Sequence, residues 1–287
     1  MNGRCAPYHW HSNPFSSMRP MAIMLFLFCL VGCRTQPSPA PVIVDLTIQE
    51  ALARQKKDCA QRLRIEGMIR AKVSGIQGLW ANAKMDLVAE KPKNVHLAIR
   101  SFFEQPIQVI STDGQTLAIY DASGQSGPQF FQGPLHENTM ALFSPIPISP
   151  QELVQMLLGC APSMNHGSSM TIDPKTETYT LQDEIKATVT RVTARLSDDT
   201  VLKSAILDSD HHPILEITYA AHRAIGGMTY PHEWVIRSHS QNGTQSFTLK
   251  GQDLLFNGPP SDPVLFQMTA PPGMEVRPLS DLHPHPL

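Results

Sequence analysis

Apolar and polar positions alternate along most of the chain after residue 63. From Leu63 to Val73 every second side chain is apolar, which predicts a strand with one apolar face. Turn signals such as Asp113–Gly114 separate the runs that follow. Ten further runs lie at 85–89, 95–99, 107–110, 117–120, 178–181, 185–192, 201–207, 214–219, 233–236 and 246–249. The pattern predicts about eleven antiparallel strands, with a loop at 161–173 and a last short segment at 264–268.

Two regions show helical rather than alternating periodicity. Residues 47–63 have an amphipathic pattern, and Thr47 with Glu50 forms a capping-box signature. Residues 136–158 contain two short helical stretches. The second is expected to begin after Ser149, with Pro150 at its first position and Leu153, Met156 and Leu157 on its apolar side.

The first part of the chain has the pattern of a bacterial lipoprotein signal. An uncharged apolar run, residues 21–31, follows Arg19 and ends at the lipobox Leu30-Val31-Gly32-Cys33. Cleavage between Gly32 and Cys33 would leave Cys33 to carry the lipid. A transmembrane helix is the alternative, but spanning needs about 20 apolar residues. We therefore expect a signal peptide at 1–32, a lipid anchor and Pro-rich tether at 33–43, a folded domain at 44–279 and a disordered tail at 280–287.

Composition and motifs exclude several functional classes. The net charge is −2, with 23 basic and 25 acidic residues and no basic run, which argues against nucleic-acid binding. No nucleophile elbow, zinc-protease helix, P-loop or CxxC motif occurs. Asp208, Asp210, His211 and His212 are interpreted as a solvated turn. We predict no catalytic residue, metal or cofactor.

Two cysteines besides Cys33 remain in the processed chain. If Cys33 is acylated, Cys59 and Cys160 are the candidate disulfide in an oxidising compartment. The sequence does not decide whether their Cα atoms lie within the ~6 Å that such a bond requires.

The segment Pro145-Ile-Pro-Ile-Ser-Pro-Gln-Glu-Leu-Val-Gln-Met-Leu-Leu-Gly159 resembles the PIPL...L..W.LG segment of the outer-membrane lipoprotein LolB. The order of helices and strands over about 45–278 also resembles the LolA and LolB carriers, and the Cys33 anchor favours LolB. The resemblance implies an α+β fold: a strongly curved, incomplete antiparallel β-barrel of about eleven strands, with helices covering the concave face.

In the LolA and LolB family, acyl chains lie in an apolar cavity between the sheet and the helices. The resemblance implies that apolar strand and helix positions line such a cavity here, although ordinary core packing is the alternative for each. These positions are Ile65, Ile69, Met85, Leu87, Leu97, Ile99, Val109, Ile119, Phe143, Leu153 and Leu157.

LolB also has an exposed apolar loop that acts in transfer to the membrane. The matching region is 101–106, where Phe102 or Phe103 would have that role; burial of these side chains is the alternative.

The expected function follows from this resemblance. It is a lipid-anchored outer-membrane protein that faces the periplasm and binds acyl chains of lipoproteins or lipids without bond chemistry. It is expected to receive or pass lipoproteins in transport or insertion at the outer membrane, with a LolA-type periplasmic carrier as a partner. Arg34 after the lipidated Cys33, in place of Asp, favours the outer membrane. Two alternatives remain: an envelope interaction module that uses the same fold, and a lipid hydrolase, for which the sequence offers no recognisable nucleophile and base.

Overall fold

One large sheet organises the chain in the computed structural model, which describes residues 46–74, 82–124, 127–135, 148–164, 168–185, 187–240 and 243–282. Fourteen strands belong to this sheet. They are β1 Arg64–Ser74, β2 Asn82–Glu90, β3 Asn94–Arg100, β4 Pro106–Thr112, β5 Thr116–Asp121, β6 Gln129–Pro134, β7 Ser169–Asp173, β8 Thr178–Ile185, β9 Thr188–Arg195, β10 Val201–Asp208, β11 Pro213–Ala220, β14 Glu233–Ser240, β15 Gly243–Phe256 and β16 Val276–Pro278. A separate two-stranded ribbon pairs β12 Arg223–Ile225 with β13 Met228–Tyr230.

The strand order is β16-β6-β5-β4-β3-β2-β1-β15-β14-β11-β10-β9-β8-β7. Every neighbouring pair is antiparallel except β16 with β6. The sheet does not close, because β7 and β16 lie at its two edges. The α+β class and an open, curved sheet therefore agree with the sequence prediction.

The predicted count of eleven strands was too low, since β6, β7 and β16 were not recognised. β6 carries Phe130 and Phe131 side by side, both buried, which breaks the alternation. β7 is a short edge strand inside the polar stretch 161–173 that was interpreted as a loop. β16 has only three residues and lies in a Pro-rich region. The segment expected at 264–268 contributes a 3-10 helix, Pro263–Phe266.

β1 joins the two halves of the sheet, since it pairs with β2 on one side and with β15 on the other. Its pairing with β15 shifts register between Glu66 and Met68. Gly67 occupies the shift with φ +141°, and a Cβ there would lie 2.8 Å from the carbonyl oxygen of Asp253. Glycine therefore permits a β-bulge where the two halves meet.

Two α-helices are described, α1 Ile48–Gln61 and α2 Pro150–Leu157. α1 begins with the predicted capping box of Thr47 with Glu50, and α2 begins after Ser149 as predicted, where Glu152 completes a second capping box. α1 packs against β8 and β9 through Ala51, which forms an apolar cluster with Tyr179 and Leu181. α2 contacts β2 and β3. Neither helix of the described part is long and apolar enough to cross a membrane.

The last described residues pack onto the sheet. Leu279 begins a 3-10 turn, Leu279–Asp281, and is buried with Leu117, Ile119 and Phe131. The expected start of the tail, Ser280, falls inside this turn, and residues 283–287 lie outside the described residues. All described residues belong to one compact unit, Ile43–Leu287. The predicted cleavage and lipidation site, Gly32 and Cys33, also lies outside the described residues.

Candidate functional site

The predicted cavity residues lie mainly in one apolar cluster. Strand positions from β1, β2 and β3 meet α2 in this cluster, where Leu97 and Leu153 are only partly buried. Ile119 belongs to a different cluster, which contains Leu279, and Val109 is half-buried. The members of the main cluster from the prediction are Ile65, Ile69, Met85, Leu87, Leu97, Ile99, Leu153 and Leu157. Phe143 lies outside the described residues.

A pocket of about 40 Å³ lies between α2 and strands β10–β11. Cavities that bind small molecules commonly measure ~300–1,000 Å³. None of the predicted cavity residues lines this pocket, because it opens beside the second half of the sheet.

Phe102 and Phe103 form an exposed apolar tip between β3 and β4. Their side chains are 93% and 81% exposed, the highest values among the large apolar residues of the described part. The two rings pack edge to face with centroids 5.6 Å apart. Large exposed aromatic side chains that touch mainly each other are typical of an interaction surface.

Ser101 determines the shape of this turn. Its amide donates to the carbonyl of Gln105 at 2.8 Å, and its carbonyl accepts from the Glu104 amide at 3.0 Å. Its hydroxyl accepts from the amides of Phe103 and Gln105. Glu104 has φ +61°. Backbone amide and carbonyl groups of the turn are thus hydrogen-bonded within it, and both phenylalanine side chains point away from the core.

Ion pairs neutralise the base of the turn. Glu104 pairs with Lys84, and Arg100 donates to Asp86 with Nε–Oδ2 2.6 Å. The hydrogen bond from Lys84 lowers the pKa of Glu104, and the one to Asp86 raises the pKa of Arg100. Two cations and two carboxylates therefore lie at the base of the turn, and their formal charges cancel.

A second pocket, of about 140 Å³, lies directly beside Phe102. Its apolar lining includes Ile99, which is part of the main cluster, and Ile107, which packs against that cluster. Arg100 and Ser101 complete the lining next to the turn. The exposed tip is therefore continuous with the apolar interior at this end of β3.

The C-terminal end of α2 is fixed to α1. Gly159 (φ +72°) donates to Met156 O and Cys160 donates to Gln155 O, which is a Schellman ending. Cys160 then forms a disulfide with Cys59, with Cα atoms 5.2 Å apart. The sequence alone did not decide whether this disulfide forms.

A buried arginine and a half-buried lysine lie near the disulfide, and sequence reasoning missed both. Arg62 Nη1 donates to Leu158 O at 2.9 Å, and its guanidinium pairs with Asp58 and lies over the Tyr230 ring. Lys91 Nζ lies 3.2 Å from Cys59 Sγ. Burial and then the charge of Arg62 lower the pKa of Lys91. The spacing of Asp58 and Arg62, four apart on a helix, was the only sequence signal.

Asp208, Asp210 and His212 bring their polar atoms within 4.8 Å of one another. The Asp208 carboxylate accepts from the amides of Asp210 and His212, and these backbone bonds lower its pKa. Asp210 and His212 are exposed. The grouping is accounted for by an Asp-stabilised turn.

No family model and no curated protein matches the sequence. Solved structures give similarities over about three quarters of the chain. The fold resembles that of LolA superfamily proteins. One such protein, from Nitrosomonas europaea, is 12% identical with a TM-score of 0.48, covering 77% of this chain and 97% of its own.

Two further structures are similar over comparable lengths. An outer membrane lipoprotein-sorting protein domain from Vibrio parahaemolyticus is 12% identical with a TM-score of 0.46, covering 76% of this chain and 97% of its own. A DUF1329 family protein from Desulfovibrio piger is 10% identical with a TM-score of 0.48, covering 75% and 94%. None of these similarities assigns a ligand or a residue role to this chain.

Proposed function

We propose that this chain is a lipid-anchored envelope protein that binds acyl chains and exchanges them with a membrane through the Phe102–Phe103 tip. The exposure of these two adjacent aromatic side chains is the observation that carries the proposal. Their exposure to water is unfavourable, and transfer of each side chain to an apolar phase is favourable by about 1.5–3 kcal/mol. The two together give weak, reversible membrane contact. Lasting attachment is assigned to the lipid on Cys33.

The charges at the base of the tip predict which membranes it contacts. Lys84 and Arg100 are both paired with carboxylates. No excess positive charge of this turn faces the lipid surface, so contact depends on apolar burial and not on anionic headgroups. The pocket beside Phe102 offers an acyl chain a route towards Ile99 and Ile107.

Location and exchange partner belong to the same proposal. We assign the protein to the outer membrane, facing the periplasm, with a LolA-type periplasmic carrier as the donor of lipoprotein acyl chains. Binding proceeds without bond chemistry. A lipobox at Cys33 and a disulfide between Cys59 and Cys160 both support an exported protein.

Replacement of both tip phenylalanines tests the membrane contact. We expect Phe102→Ser/Phe103→Ser, made in a chain that starts at Arg34 and so lacks the anchor, to lower partitioning onto neutral phosphatidylcholine vesicles at least about tenfold. Vesicle flotation measures this, and Val264→Ser, at another exposed apolar position, is the matched control. Equal partitioning of parent and double variant would refute the role of the tip.

A second function is favoured by the small volumes of the two pockets described above. Pockets of about 40 and 140 Å³ suit an envelope interaction module that packs its own core. Mass spectrometry of lipid that co-purifies with the unanchored chain separates the two functions. The carrier proposal expects bound acyl lipid, whereas lipid-free protein that also fails to take up added lipid favours the interaction module.

A further inference from the structure

The pocket between α2 and strands β10–β11 combines apolar walls with a polar floor. Ile148 and Met156 form the helix side, and Ile206, Leu215 and Ile217 form most of the sheet side. Met156 is unbranched and flexible, so this wall yields more readily than a β-branched side chain would. The present volume of about 40 Å³ admits a small group, and a longer chain enters only as α2 side chains move.

Two buried hydroxyls, those of Ser204 and Tyr219, lie on the floor of this pocket. Both side chains are almost fully buried, and their oxygens are 3.4 Å apart. Hydroxyl pairs prefer ~2.7–2.8 Å. The contact is therefore a weak hydrogen bond, and the pair has donor and acceptor capacity left for a third group. Burial raises the pKa of Tyr219 to about 12, so the phenol remains a donor at neutral pH.

The charges around the pocket exclude an anionic ligand. Among the described residues that line it, none is Lys or Arg, and the exposed carboxylate of Glu152 stands at the rim. The nearby guanidinium of Arg62 is occupied by Asp58 and by the Leu158 carbonyl. A carboxylate or phosphate would enter without a counter-charge and past a like charge, which is unfavourable.

We propose that this pocket recognises the ester carbonyl of an uncharged acyl lipid, with Tyr219 donating to the carbonyl oxygen and Ser204 supporting it. The inference rests on the proposed acyl-chain binding and adds a polar determinant of specificity. The apolar walls take the first part of the chain, and the hydroxyl pair selects the ester over a chain without a carbonyl.

The test compares two neutral lipids that differ only in the carbonyl, monopalmitoyl glycerol and its ether analogue hexadecyl glycerol. The unanchored chain from Arg34 is suitable because it contains the whole compact unit Ile43–Leu287. We expect the ester to bind about three- to tenfold tighter than the ether, as one hydrogen bond implies. Tyr219→Phe should remove that preference. Palmitate, the charged analogue, should bind more weakly than the ester.

Thr218→Val is the matched control, because it also removes a hydroxyl from β11 but at a position on the other side of the strand. It should leave the ester preference unchanged. If Tyr219→Phe does not fold, Ser204→Ala takes its place with the same expectation. Equal ester and ether affinities in the parent, or a preference that survives Tyr219→Phe, overturn the inference but leave the proposed acyl binding intact. Failure of the parent to bind either lipid refutes the acyl binding itself.

Discussion

Burial of three histidine side chains makes the stability of this fold depend on pH. Burial lowers the pKa of His96, His222 and His232. At a pH above the unfolded-state pKa of about 6.5, all three side chains are neutral in the folded and in the unfolded protein. As the pH falls below that value the unfolded chain binds protons first, so the free energy of unfolding decreases until the lowered folded pKa values are passed.

We expect the free energy of unfolding, measured by urea denaturation, to fall as the pH is lowered from neutral towards five. His96→Asn should make this decrease smaller, because one of the three groups no longer titrates. His211→Asn is the control, since His211 is exposed in a turn with φ +62° that asparagine tolerates. Stability that does not change over this pH range would contradict the assignment.

At the scale of single residues, the sequence predicted the two tip phenylalanines but not the buried hydroxyl pair. Phe102 and Phe103 were identified from a family resemblance, but their exposure depends on how Ser101 folds the turn. The sequence did not indicate a role for Ser204 and Tyr219, since serine and tyrosine are ordinary residues in strands with an alternating apolar and polar pattern. Only the pairing of β10 with β11 brings them together.

At the scale of elements, the disulfide connects α1 to the end of α2 across 101 positions in sequence. Cross-linking removes conformational entropy from the unfolded chain, and loss of such a bond costs about 2–5 kcal/mol. We expect Cys59→Ala/Cys160→Ala to lower the free energy of unfolding by that amount in urea. Dithiothreitol should destabilise the parent similarly and leave the double variant unchanged; a parent insensitive to reductant would contradict this.

Helices were more predictable than strands for a physical reason. A helix start depends on local chemistry, so Thr47 with Glu50 and Ser149 with Pro150 indicated the starts of α1 and α2 correctly. A strand at the edge of a sheet depends on partners far away in sequence. β16 is a strand because it pairs with β6, and its three residues are too few to show an alternation of apolar and polar positions.

At the scale of the whole molecule, the bulge at Gly67 determines how the two halves of the sheet meet. The cluster that joins them contains Ile65 and Ile69 on either side of this bulge. We expect Gly67→Ala to destabilise the fold by at least about 2 kcal/mol, since alanine is strained at φ +141° and its Cβ would meet the Asp253 carbonyl.

Chemical denaturation measures this loss, and Gly124→Ala is the control because a Cβ there meets no atom within 4 Å. Similar stability of the two variants would show that the bulge tolerates a side chain. The open sheet was predicted from the family resemblance, whereas the position of this bulge was not. A lone glycine in an alternating run does not reveal which distant strand approaches it.

The span closed by Cys59 and Cys160 contains six successive strands of the sheet and all of α2. Thiols oxidise stably only outside the reducing cytoplasm. In the exported protein proposed above, this bond therefore forms only after the polypeptide has left the cytoplasm at least as far as Cys160. A precursor retained inside the cell would stay reduced, less stable and more readily degraded. Secretion would therefore determine when the disulfide forms and the protein reaches its full stability.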